Sequence, residues 1–77
     1  MSAPRLTWDR DDDSGRWHGW LRVDDRRVEV GTIDPPEVGR PRRWYLYSGA
    51  EGEADGLYLA MRRVGDTYRA RRRGGAP

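Results

Sequence analysis

The chain contains no cysteine, no lysine and no phenylalanine. Without cysteine there are no disulfide staples, no zinc–thiolate sites and no thiol chemistry. No apolar run approaches the roughly 20 residues that a membrane helix needs. The N-terminus, Met1-Ser2-Ala3-Pro4-Arg5, lacks the apolar stretch of a signal peptide. The expectation is a soluble, cytoplasmic protein with no membrane partner. The missing lysine means that all fifteen basic residues are arginine. A GC-rich coding sequence produces that bias as readily as an arginine-specific role does.

What remains is short and polar. With 77 residues, 35% apolar and 36% charged, the chain has room for one small domain and a modest interior. The domain spans 1–77, with a core over about 5–73 and frayed ends at 1–4 and 74–77. The formal net charge is +2, but it is unevenly placed. Residues 1–34 hold six arginines against eight acids, and residues 35–77 hold nine arginines against five acids. The basic character therefore belongs to the C-terminal half.

Short aromatic and β-branched runs separated by turn-forming clusters mark a β-domain. The first run is Arg5-Leu6-Thr7-Trp8, closed by an Asp-rich turn over residues 9–15. The second is Arg16 to Val23, with Trp17, Leu21 and Val23 on one parity and Arg16, His18, Trp20 and Arg22 on the other. Period-two alternation of this kind gives one dry and one wet face. A four-residue loop, Asp24 to Arg27, would set Leu21 opposite Val30, Arg22 opposite Glu29 and Trp20 over Gly31. A two-residue loop keeps the same faces. A three-residue loop would put Leu21 against Glu29 and is disfavoured.

Three prolines make residues 34–41 a stiff surface loop. In the strand Arg43 to Ser48, Trp44 and Leu46 point one way and Tyr45 and Tyr47 the other. Gly49 to Gly56 reads as a small, acidic, flexible loop. The last segment has two readings. Leu57, Ala60, Met61, Val64 and Tyr68 fall at helical spacing, whereas Gly65-Asp66 suits a two-residue hairpin turn that pairs Met61 with Ala70 and Arg62 with Arg69. The hairpin is favoured here. The expected fold is all-β: a single small antiparallel sheet of about five strands, as a meander or small open barrel. The alternative is a three-stranded sheet plus one C-terminal helix, an α+β fold. Trp17 and Trp44, then Trp8, are the leading core residues, because a buried aromatic removes about 150–250 Å² from water.

Catalytic and metal chemistry find little footing. Asp9, Asp11 and Asp13 alternate as in a calcium loop, but Ser14 and Trp20 stand where such a loop needs Gly and a bidentate Glu. An acidic turn whose side chains cap the local backbone is the better reading. His18 is the only histidine, and alone it anchors neither a metal site nor a triad. Glu51 and Glu53 lie in a loop, and no phosphate-binding glycine motif is followed by a helix. We therefore expect no enzyme, no cofactor and no metal.

Two binding surfaces are more promising. Trp20, Tyr45 and Tyr47 share the wet parity with His18 and Arg22, and Trp, Tyr and Arg are the residue types enriched in binding hot spots. This is the candidate protein-binding face. A second small core, or packing under the proline loop, would account for the same rings. In the hairpin reading, Arg62, Arg69, Arg71 and Tyr58 form one basic face, extended by Arg63, Arg72, Arg73 and the loop arginines. That is the candidate nucleic-acid surface, with phosphates meeting guanidinium groups and bases stacking on the ring. Arginine as the ordinary solubilising residue is the favoured explanation of these positions, because a net charge of +2 is low for a dedicated nucleic-acid binder.

The order Trp8, Gly15-Arg16-Trp17-His18-Gly19-Trp20, Val28-Glu29-Val30 and Arg43-Trp44-Tyr45-Leu46-Tyr47 resembles small β-rich phage and prophage accessory proteins. The likeness spans roughly residues 6–48 and lies in texture. It implies a host-directed inhibitor or adaptor, anti-CRISPR proteins being the prominent example. Its partner would be a host protein or a protein–nucleic-acid complex. The positive C-terminal half departs from the acidic, DNA-mimicking subset, and many such proteins end in a helix, from which the favoured hairpin reading also departs. Open edge strands would permit either a monomer or a homodimer by strand pairing.

Overall fold

Four runs with strand chemistry and a short acidic segment after them pair in the order of the sequence. The computed structural model describes residues 5–74, with side chains through Arg71. Strands β1 (Leu6–Arg10), β2 (Trp17–Val23), β3 (Arg26–Ile33), β4 (Arg42–Leu46) and β5 (Glu51–Ala54) form one antiparallel sheet in meander order, followed by helix α1 (Leu57–Gly74). The fold is α+β. The antiparallel meander and the C-terminal helix of the alternative reading are both present. The sheet stays open, since β1 and β5 each have a single neighbour. The expected frayed ends fall outside the described residues, apart from Gly74.

Register fixes what each face carries. On one face, Arg10, Trp17, Ile33, Trp44 and Gly52 form a row across the sheet, beside the row Trp8, Gly19, Gly31 and Leu46. The glycines in these rows are places for rings and backbone to lie. A Cβ on Gly19 would come within 2.8 Å of the Trp8 ring, and one on Gly52 would run into the Trp44 ring. On Gly31 it would strike the Tyr45 carbonyl oxygen. Helix α1 packs over β3, β4 and β5 on this face. Ile33, Trp44, Leu46, Ala54, Ala60 and Val64 form the buried cluster, with Leu6, Trp8, Trp17, Leu57, Met61 and Tyr68 packed around it.

The helical reading of 57–74 replaces the favoured hairpin, for a physical reason. As a helix, the stripe Leu57, Ala60, Met61, Val64 and Tyr68 lies on one side, and Ala60 and Val64 lose all exposure. As a hairpin, Arg62 would face Arg69 across strands. In α1, Asp66 stands between them instead, 2.7 Å from Arg69 and 3.9 Å from Arg62, the spacing at which helix side chains meet. Gly56, at φ 102°, turns the chain out of β5, and its carbonyl accepts the Ala60 N–H at 3.1 Å. Leu59, which a hairpin pairing Met61 with Ala70 would turn to the same side as Met61, is 36% exposed. The segment from Gly49 to Gly56, expected to be a loop, supplies β5.

The β2–β3 connection is the two-residue turn Asp24-Asp25, with Val23 opposite Arg26. Asp24 takes the left-handed conformation (φ 56°) that tight hairpin turns demand and Asp tolerates. The four-residue pairing is therefore corrected: Leu21 faces Val28, Arg22 faces Arg27 and Trp20 faces Glu29. A bulge between Gly19 and Trp20 restores Gly19 to Gly31, leaving Glu29 and Val30 both opposite Trp20.

Gly65 sits mid-helix, where glycine is about 1 kcal/mol less favourable than alanine. A Cβ there would be 3.4 Å from the flexible guanidinium of Arg69. Gly65→Ala is expected to raise the denaturant midpoint, by up to ~1 kcal/mol, and Val64→Ala to cost about 2 kcal/mol. A Gly65→Ala variant that loses stability would indicate a turn at this position.

Candidate functional site

The face opposite α1 is where alternate strand residues emerge. Two rows cross it: Asp9, His18, Thr32, Tyr45 and Glu51, and beside them Thr7, Trp20 and Glu29. Tyr47 follows Tyr45 on the same parity, and its N–H donates to the Val30 carbonyl at 3.0 Å. The sheet thus brings His18, Trp20, Tyr45 and Tyr47 to one surface, with Arg22 at its β2–β3 end. Their exposure is graded. Tyr47 is 66% exposed, Arg22 is exposed, and His18, Trp20 and Tyr45 are half-buried. Val30, on the same side, is only 8% exposed, so a small apolar floor lies beneath an accessible aromatic surface.

Glu29 organises the centre. His18 Nδ1 lies 3.2 Å from each carboxylate oxygen of Glu29, and the Tyr47 hydroxyl donates to Oε1. One carboxylate therefore anchors side chains from β2 and from the end of β4. Arg27 stacks over the Trp20 ring at 4.6 Å and reaches Asp9 at 2.9 Å, which offsets its like-charged neighbour Arg22. The indole N–H of Trp20 is turned away from water and meets no acceptor among the described residues. At the other end, the Tyr45 hydroxyl donates to Asp34 Oδ2 at 3.3 Å, and Arg16 holds Asp34 Oδ1 at 3.3 Å. Glu29 is the residue that sequence reasoning missed as a site component. The four-residue loop had assigned it to Arg22, whereas the two-residue turn sets it against Trp20.

The other acidic and basic clusters are internally compensated. Asp11 caps the β1–β2 turn, accepting from the Asp13 N–H and the Ser14 hydroxyl, each at 3.0 Å. Those bonds, that of the Asp13 N–H first, hold its carboxyl below the usual range. No group of three metal-ligating side chains occurs among the described residues. A cavity of about 610 Å³ under the proline loop is lined by Arg16, Asp34, Glu37, Arg40, Arg43 and Glu53 among others, with both signs of charge interleaved.

The predicted basic face is partly regrouped. Tyr58, Arg62 and Arg69 recur at helical spacing on one side of α1 and line a common groove. Arg71 does not join them. It projects from the other side of the helix, where its guanidinium reaches the Ser48 carbonyl at 3.4 Å. The side chains of Arg72 and Arg73 lie outside the described residues. Among the described residues no helix is long and apolar enough to cross a membrane. No protein-family model matches this chain, and no curated protein or solved structure does so either.

The hydrogen bond to Glu29 holds the Tyr47 phenol above the usual tyrosine range. Desolvation and the Glu29 charge add to this, and Arg16 opposes it. The folded chain therefore keeps this proton to higher pH than the unfolded chain does. The contact stabilises fully below about pH 10 and is lost as pH rises through the folded value. Absorbance titration at the tyrosinate band should show a component above pH 10 that Tyr47→Phe removes and Glu29→Gln moves downward. A titration unchanged by both substitutions would contradict the contact.

Proposed function

We propose that this chain is a small non-catalytic binding protein that docks on a protein partner through the open sheet face. The observation that carries this reading is the placement of Trp20, Tyr45 and Tyr47 on one surface, away from the helix-covered core, with Trp20 and Tyr47 beside Glu29 and Tyr45 bonded to Asp34. Aromatic rings offer large, rigid contact area, and arginine at the rim adds directional hydrogen bonds. Charge on this face is mixed: Arg22, Arg27 and Arg43 stand among Asp9, Glu29, Glu51 and Glu53. Mixed charge suits a protein surface better than a phosphodiester backbone, which rewards one sign. The His18–Glu29–Tyr47 cluster is read as an anchor because both partners spend their hydrogen bonds on the same carboxylate. The cavity under the proline loop takes in Arg43 and Glu53 from the rim of this face, and neither it nor the groove beside α1 is lined by Trp20, Tyr45 or Tyr47.

Within this reading, the resemblance to phage and prophage accessory proteins supports an inhibitor or adaptor of anti-CRISPR type acting in the host cytoplasm. Its target would be a host protein or protein–nucleic-acid complex. The nucleic-acid module has less support, because Arg71 stands apart and Asp66 pairs with Arg62 and Arg69.

A pull-down from host lysate, run with and without nuclease, tests the assignment. The expected result is a nuclease-resistant partner that Tyr47→Ala and Arg22→Glu each weaken at least tenfold, with circular dichroism and melting unchanged. Trp20→Ala should also abolish capture, at some cost in stability because the ring is half-buried. Capture that disappears with nuclease, or that survives Tyr47→Ala and Arg22→Glu, contradicts it.

A further inference from the structure

The helix-covered face is only partly covered. Helix α1 packs on β3, β4 and β5, so the β1 end of that face has no lid. There a groove of about 650 Å³ runs between β1 and α1. Leu6, Trp8 and Met61 make its apolar floor, and Gly65 removes the side chain that would narrow it. The walls are charged: Arg5 precedes β1, while Arg62 and Arg69 project from α1. Tyr58, 90% exposed, stands at the mouth. Asp66 is the acid in contact with this arginine group, which leaves a positive excess over an apolar floor.

A second feature lies against the same groove. β1 is an edge strand with β2 as its single neighbour, so its outer backbone N–H and C=O groups are open to another strand. We propose that this groove receives an extended acidic segment of a partner protein by strand addition to β1. Alternate side chains of the segment enter the groove, apolar ones against Leu6, Trp8 and Met61 and carboxylates against Arg5, Arg62 and Arg69. Backbone pairing supplies affinity and the alternate pockets supply selection. Charge decides among the occupants. A second copy pairing through its own β1 would bring two sets of Arg5, Arg62 and Arg69 together, a like-charge contact that disfavours the homodimer. A single-stranded nucleic acid has no peptide N–H and C=O groups to pair with the open edge of β1. The site lies on the opposite side of the sheet from Tyr47, so it stands or falls independently of the open face.

The test uses the full chain and three labelled probes read by fluorescence anisotropy. These are a blocked peptide of three Val-Thr-Glu-Thr repeats, the same peptide with lysine for glutamate, and oligo-dT. The expected result is saturable binding of the glutamate peptide, weakened at least tenfold by the double variant Arg5→Glu/Arg62→Glu. That variant should gain binding of the lysine peptide. Both positions are exposed, so the fold is retained, and Tyr47→Ala should bind the glutamate peptide as the parent does. Tighter binding of oligo-dT than of the peptide would assign the groove to nucleic acid and overturn the proposal. Failure to bind the glutamate peptide, or binding indifferent to the charge reversal, overturns it as well.

Discussion

A single helix is narrower than the sheet it covers, and most of the molecule's surface chemistry follows from that mismatch. An α-helix is about 10 Å across and neighbouring strands lie about 4.8 Å apart, so one helix shields roughly three strands. Here it shields β3, β4 and β5. Ala60 and Val64 are fully buried there, which makes the contact the dry centre of a small domain with few alternatives. The strands left over, and the whole reverse side of the sheet, must face water or a partner.

The sheet meets this constraint with tryptophan and glycine in register. Trp8 lies over Gly19 and Trp44 over Gly52, each a direct cross-strand pair. A ring lying close against bare backbone buries aromatic area without pushing the layers apart, an arrangement that also strengthens glycine positions in sheets. The opposite face follows different chemistry. Its alternate positions carry Tyr45, Tyr47, His18 and Trp20; Glu29 holds His18 and Tyr47, Asp34 holds Tyr45, and Arg27, paired with Asp9, stacks on Trp20. Because these contacts are hydrogen bonds and stacked charges near water, they orient the rings more than they stabilise the fold. The same chain therefore has a dry side for stability and a wetter side whose rings are held in place by polar contacts.

Much of this was legible in alternation alone. Trp17 and Trp44 inward, Tyr45 and Tyr47 outward, and a meander of short strands all follow from period-two reading. Three features were not. The 57–74 segment carried both a helical stripe and a Gly65-Asp66 turn signal, and only its packing on Ile33 and Leu46, with Asp66 pairing to Arg62 and Arg69, decides between them. The β5 strand, Glu51-Gly52-Glu53-Ala54, has almost no strand propensity; the Trp44 ring lying on Gly52 compensates. The two-residue turn sets Glu29 opposite Trp20, and the bulge that then returns Gly19 to Gly31 has no signal in the local sequence. The site residues His18, Trp20, Tyr45 and Tyr47 were legible because parity alone places them. The grouping of Tyr58, Arg62 and Arg69 survived for a different reason, since positions 58, 62 and 69 also align on a helix, whereas 71 does not.

The account rests on the division of the sheet into a face under α1 and a face without it. Nuclear Overhauser contacts of the Ala60 and Val64 methyls measure that division directly. The account predicts cross-peaks from these methyls to the side chains of the cluster formed by Ile33, Trp44, Leu46 and Ala54, and none to the rings of Tyr45 or Tyr47. Cross-peaks to those tyrosine rings would place the helix on the other face, closing the proposed docking surface and contradicting the account.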